Sequence, residues 1–240
     1  MTSASATTQA LFIALVVAMA ALFAFAMLKT ARAGGHAAGG AIGVVALVFA
    51  FWLAVPAVLA VQGVLDRYSP PPAPGFFVVG LVTLGTVALA FSRFGSRLID
   101  GLPIAALVGY QVFRVPLEWL LHRLYAEGAI PVQLTYSGWN FDIATGLLAA
   151  ALGLWLRAGH RSWPLVAAWN IIGIALLANI VVISILSTPV PFRTFMNEPA
   201  NLMPGTFPYV WLPTFLVQAA LFGHLLVFRA MGRPAGLRAP

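Results

Sequence analysis

Apolar runs of about twenty residues, separated by junctions at which arginine and lysine recur on alternate turns of the path, leave this chain few folds other than a helical bundle in a membrane. Of its 240 residues, 61% are hydrophobic and 8% charged. One soluble core of that size could not hide so much apolar surface, so lipid must cover much of it. The pattern predicts an all-α, polytopic bundle of seven transmembrane helices over 9–29, 40–62, 75–94, 101–126, 139–157, 164–187 and 208–230. These spans form a single transmembrane domain over 1–240, with an external connection over 188–207.

The charges orient the path. With the N-terminus outside and the C-terminus cytoplasmic, Lys29, Arg32, Arg93, Arg97, Arg157, Arg161, Arg229, Arg233 and Arg238 fall on the cytoplasmic side, and only Arg67 and Arg193 lie in opposite loops. Arg114 and Arg123 belong to the fourth span. Ala24-Phe25-Ala26 resembles a signal-peptide cleavage site, but the basic residues follow the first apolar run rather than precede it, as in a retained helix. Tyr68, Phe76, Tyr136, Trp139, Tyr209 and Trp211 near the outer boundary, with Trp155 and Trp163 at the inner one, read chiefly as interfacial anchors.

The same composition excludes several functions. A net charge of +7 dispersed between apolar spans forms no stripe for nucleic acid. Without cysteine there are no disulfides and no thiolate chemistry. The four histidines, His36, His122, His160 and His224, fall at different depths and belong to no HExxH motif, so neither metal nor cofactor is expected. Covalent retinal would need a lysine in the last span, where there is none. Gly35, Gly39 and Gly43 have a spacing that permits close helix packing around the start of the second span. Prolines in 69–75 make a stiff connection, and those in 188–207 suit either an ordered cap or an irregular surface loop.

One departure from apolarity carries the functional expectation. Gln111, Arg114, Glu118 and His122 recur at helical offsets on one face of the fourth span, with Tyr125 continuing it. Ionisable groups within a membrane are costly and should face protein or water. Arg114 and Glu118, four residues apart, could pair. Asn140 and Asp142, at the start of the oppositely directed fifth span, should reach the same level. Glu118, His122 and Asp142 are therefore candidate acid-base residues, and Gln111, Arg114, Glu118, His122, Asn140, Asp142 and Asn179 candidate ligand-binding residues. Two other readings stand beside these: a structural Arg114–Glu118 lock, and Asp142 as a helix cap. Asn179, Ser187 and Gln218 could extend the polar surface or link helices. His224, nearer the inner end, is no partner for His122.

The tract Gln111-Val112-Phe113-Arg114-Val115-Pro116-Leu117-Glu118, then Leu121-His122 and Thr135-Tyr136-Ser137-Gly138-Trp139-Asn140-Phe141-Asp142, resembles an uncharacterised family of bacterial multi-pass membrane proteins. The resemblance extends through Pro208-Tyr209-Val210-Trp211-Leu212-Pro213, with Trp139 departing from a smaller or polar residue. It implies the bacterial inner membrane and no catalytic assignment. Three functions compete. The first is a small-molecule binding module or transporter, holding a small polar or amphipathic ligand in an outer-half chamber and bathed by membrane lipid. The others are an intramembrane acid-base enzyme acting on a lipidic substrate, and an assembly protein whose 188–207 loop docks an unidentified protein partner.

Overall fold

A computed structural model of the chain describes residues 4–33, 38–69 and 71–233. Gly35, His36, Pro70 and Arg238 fall outside them, as does the side chain of Arg32. The described residues form an all-α bundle: α1 (Ala6–Ala33), α2 (Ala38–Val61), α3 (Pro74–Phe91), α4 (Arg93–Gly101), α5 (Ile104–Gly109), α6 (Arg114–Ala126), α7 (Ile143–Arg157), α8 (Trp163–Leu186) and α9 (Val217–Met231). A 3-10 turn, Tyr110–Phe113, joins α5 to α6, and a π-helical turn, Leu212–Leu216, leads into α9. Six apolar segments among the described residues are long enough to cross a membrane, counting α5–α6 as one and the π turn with α9 as another. The seventh apolar helix, α7, has 15 residues.

Local chemistry sets these boundaries and corrects four of the expected spans. The third span stops at Phe91 because Ser92 leaves the helical region and its hydroxyl accepts the Phe94 amide at 3.0 Å, opening α4. α4 has apolar and polar faces of its own and lies between spans. Leu102, forced into an extended conformation by the following Pro103, delays the fourth span to Ile104. The fifth begins at Ile143 because the preceding residues are committed to a turn, in which Thr135 O accepts Gly138 N–H at 2.9 Å and Asn140 N–H at 3.2 Å. In the last span Pro213, lacking an amide proton, lies within the π turn. Gly128 and Gly159, with φ of 71° and 93°, terminate α6 and α7 in the left-handed conformation.

Contacts between distant segments divide the bundle into two ends. At the N-terminal end, the Ser5 amide and hydroxyl each donate to Glu127 at 2.8 Å, Tyr68 donates to Leu202 O, and Gln133 donates to Ser187 Oγ. At the opposite end Arg229 donates to Ala90 O and Ser96 Oγ, while Arg233 pairs with Asp100. Buried apolar clusters fill both halves. One centres on Phe12, Leu124, Ile130 and Leu216, the other on Val108, Ala149, Val166 and Val227. The outside is apolar too, with Leu47, Val61 and Leu81 each 72% exposed, a surface suited to lipid contact.

The close packing that the glycine spacing permits is not made at Gly43 among the described residues, where a Cβ would meet nothing within 4 Å. The tight crossing lies between α5 and α7, where a Cβ on Gly153 would sit 2.9 Å from Gly109 Cα. That crossing pulls the short α7 against the polar turn before α6.

Glu127 pins the start of α1. Partial desolvation raises its pKa, but hydrogen bonds from Thr8 and Ser5, helped by Arg123, outweigh this and hold the carboxyl below its usual value. A depressed carboxylate pKa stabilises the folded state above the unfolded value, about 4.3, and that contribution disappears as pH falls through the folded value. Amide exchange at Thr8 and Gln9 is therefore expected to quicken, relative to the intrinsic rate, as pH drops below about 4. Glu127→Gln should show the faster exchange already at neutral pH. Equal protection of both proteins at neutral pH would contradict the pin.

Candidate functional site

The polar residues meet where α6, α7, α8 and α9 converge. Asn140 and Asp142 enter on the turn that precedes α7. The Asp142 amide donates to Asn140 Oδ1 at 3.1 Å, and Asn140 Nδ2 donates to Glu118 Oε2 at 2.6 Å and to Leu134 O at 3.1 Å. Asn140 thus ties the loop to α6.

Arg114 pairs with Asp142, Nε to Oδ2 at 2.9 Å, with the two side chains 1% and 5% exposed. The Arg114–Glu118 pair anticipated from the four-residue spacing is not formed. Nor does Asp142 cap α7 through its side chain; its Oδ1 accepts the Thr145 hydroxyl at 3.3 Å. Partners on the turn before α7 decide this: Asp142 takes Arg114 at 2.9 Å and Asn140 takes Glu118 at 2.6 Å. The 3-10 turn at Tyr110–Phe113, with about 3.0 residues per turn rather than 3.6, puts Gln111 out of phase with α6. Gln111 is buried elsewhere, its amide donating to Ala220 O at 2.9 Å.

On its other side Arg114 Nη1 lies 3.0 Å from His224 Nε2, and His224 Nδ1 lies 2.7 Å from Asn170 Oδ1. A guanidinium can only donate, so Nε2 must accept and the ring proton sits on Nδ1, donated to Asn170; the network assigns a neutral imidazole. Asn170 Nδ2 donates in return to His224 O at 3.1 Å. Gly173 makes room for the ring, since a Cβ there would stand 2.9 Å from Nε2. The ion pair and its neighbours therefore run from Asp142 through Arg114 and His224 to Asn170 without a break.

His224 and Asn170 are the members that sequence reasoning missed. Both were visible as polar residues in apolar spans, which is the right signal. The depth assigned to His224 hid its role, because Arg114 is long enough to reach it.

His122 goes elsewhere. One helical turn, roughly 6 Å, nearer the N-terminal end, it stacks on Tyr136 with ring centroids 4.5 Å apart and lies 3.3 Å from Ser137 Oγ. Tyr125, 38% exposed, flanks it. Asn179 donates to Trp139 O at 2.8 Å, apart from the chamber, while Ser187 is bonded to Gln133 and Ile183.

Beside the network lies a chamber of about 750 Å³, walled by α3, α6, α8 and the segment leading into α9. Its wall is chiefly apolar, and Arg114, Glu118 and Asp142 all border it. α3 and α8 each pack on α9, and the chamber lies between them. It opens there: the lining residues Gly80, Leu84 and Ala178 are exposed, Leu84 by 69%. The 188–207 segment, irregular apart from the 3-10 turn Met203–Gly205, lies against one end of the chamber. Asn201 fastens it to Ser184, by 3.1 Å to the carbonyl and 2.8 Å to the hydroxyl, and Thr188, Asn201 and Met203 line the chamber. Tyr68, whose phenol burial and the nearby Asp66 push to a pKa of about 12, closes the same end as a neutral donor to Leu202 O.

No curated protein and no solved structure matches this chain. A family match covers residues 71–231, more than half of the chain, and takes in α3 to α9 with every residue lining the chamber except Leu65 and Tyr68. On that match the chain belongs to the family described as "Domain of unknown function (DUF8737)".

Proposed function

We propose that this protein is a small-molecule binding module, or the binding core of a transporter, that takes an amphipathic molecule from the lipid phase into the chamber between α3 and α8. The observation that carries this reading is the meeting of Arg114, Glu118 and Asp142 at the wall of one apolar chamber of about 750 Å³. That volume falls within the range of about 300–1,000 Å³ common for small-molecule sites, and apolar walls with a few convergent polar groups are their usual composition. The opening between two apolar helices suits entry by a chain already dissolved in lipid. His122, a turn away against Tyr136, does not contribute its proton chemistry to the chamber.

In this reading the chain crosses the bacterial inner membrane seven times, N-terminus outside and C-terminus cytoplasmic, with α7 as the short fifth crossing. Lys29, Arg93, Arg97, Arg157, Arg161, Arg229 and Arg233 lie toward the end away from the N-terminus, while Arg67, Arg123 and Arg193 lie toward the other. The cytoplasmic excess of basic residues supports that orientation. The chamber then occupies the outer half, beneath the 188–207 cap.

Ala178→Trp places an indole at the opening between α3 and α8. The purified full chain is expected to retain single-chain amphiphiles in native mass spectrometry, and Ala178→Trp to lose most of that retention while remaining folded. Retention that Ala178→Trp leaves unchanged, or no retention by the parent protein, would overturn the reading.

A further inference from the structure

Within that binding reading, the polar atoms of the chamber discriminate between classes of ligand. Arg114 is its cation, and Asp142 already neutralises it at 2.9 Å. His224, by its tautomer, adds no charge. Glu118 is then a second carboxyl group with no cation of its own, and its Oε2 is occupied by Asn140 while, among the described residues, no donor reaches Oε1. Two further lining residues, Gln218 and Asn201, hold an unbonded oxygen each, Oε1 and Oδ1, but both atoms are sealed behind the wall rather than presented to the chamber. The orientations of both amides follow from the network. Gln218 Nε2 donates to Pro213 O at 2.9 Å and Asn201 Nδ2 to Ser184 O at 3.1 Å, and a carbonyl cannot serve as a donor. The contrary atom in the lining is Arg114 Nη2, a donor without a partner on a guanidinium whose charge is already matched.

A carboxyl group on the chamber wall with one oxygen unbonded and no cation of its own calls for a ligand that donates hydrogen bonds and carries positive charge. We propose that the chamber recognises amphiphiles with a protonated amine head, the ammonium seated against Glu118 and the alkyl chain lying along the apolar wall between α3 and α8. An ammonium supplies three donors and no acceptor, which matches the free oxygen of Glu118. It also brings the cation beside which a carboxyl group in an apolar interior can ionise.

The test compares three probes of one chain length, dodecylamine, dodecan-1-ol and dodecanoate, by native mass spectrometry of the full chain at neutral pH. Dodecylamine is expected to bind about tenfold more tightly than either other probe, and Glu118→Gln to remove that preference. Glutamine keeps the acceptor that Asn140 uses, so the variant should fold, which its unfolding midpoint without probe will show. Dodecan-1-ol or dodecanoate binding as tightly as the amine, or an amine preference that survives Glu118→Gln, overturns the inference. If in that case Ala178→Trp still blocks all three probes, the chamber reading stands without the amine. Binding of none of them, or binding indifferent to Ala178→Trp, brings down the chamber reading and this inference together.

Discussion

Arg114→Met is expected to destabilise the folded protein by about 3–5 kcal/mol, the usual cost of removing one partner from a buried ion pair. The loss comes less from the missing attraction than from what remains. Asp142, 5% exposed in its side chain, keeps only the Thr145 hydroxyl and becomes an uncompensated carboxylate in an apolar interior. His224 Nε2 loses its donor at the same time. Removing the second charge should therefore help: Arg114→Met with Asp142→Asn is expected to be more stable than Arg114→Met alone. Denaturant titrations of the detergent-solubilised chain would measure both. A single-variant loss below about 1 kcal/mol, the worth of an exposed pair, would show that the pair is open to water and not the buried lock described above.

Gly223→Ala should cost nearly as much, about 3 kcal/mol, at the upper end of what overpacking a core costs. The new Cβ would overlap the Tyr110 phenol oxygen, lie 2.6 Å from Tyr110 Cζ and stand 2.7 Å from Gln111 Nε2. None of these can retreat cheaply. Tyr110 donates to Ala219 O at 2.7 Å and its ring is held edge-on by Phe23, while Gln111 is held by Ala220 O. Relief would require the 3-10 turn and α9 to part, the contact that sets the start of α6. Tyr110→Phe in the Gly223→Ala background removes the overlapping oxygen and is expected to restore part of the loss. Gly223→Ala unfolding within about 0.5 kcal/mol of the parent, the range of an ordinary surface change, would refute this account of the crossing.

These two expectations concern residues of different legibility. Arg114 stood out in the sequence, because a charged residue in an apolar span has few reasons to be there. Asn140 and Asp142 were also legible as partners at a shared level, and the structure does bring them to Arg114 and Glu118. The pairing was not. A four-residue spacing suggests Arg114 with Glu118, but the close approach of α7 and the turn before it gives Arg114 to Asp142 and Glu118 to Asn140. His122 has the right spacing from Glu118 and the wrong height, lying beneath Tyr136. Gly223 could not have been singled out among 22 glycines, since its importance depends on a tyrosine more than a hundred residues away.

What the sequence determined by itself is everything that depends on local composition and period: helical segments, their ends to within a few residues, and the expectation that ionisable groups turn inward. In a chain this apolar, backbone hydrogen bonding must be satisfied within each segment, so neighbours along the chain suffice to specify helices. Tertiary structure decided which polar groups meet, that a gap remains between α3 and α8, and that the gap ends at a carboxylate with one oxygen unused. Those outcomes depend on relative depth and rotation of whole helices, set here by a glycine crossing, a 3-10 turn and a π turn. Each shifts distant side chains by ångströms, a scale on which helical periodicity in one segment carries no information about another.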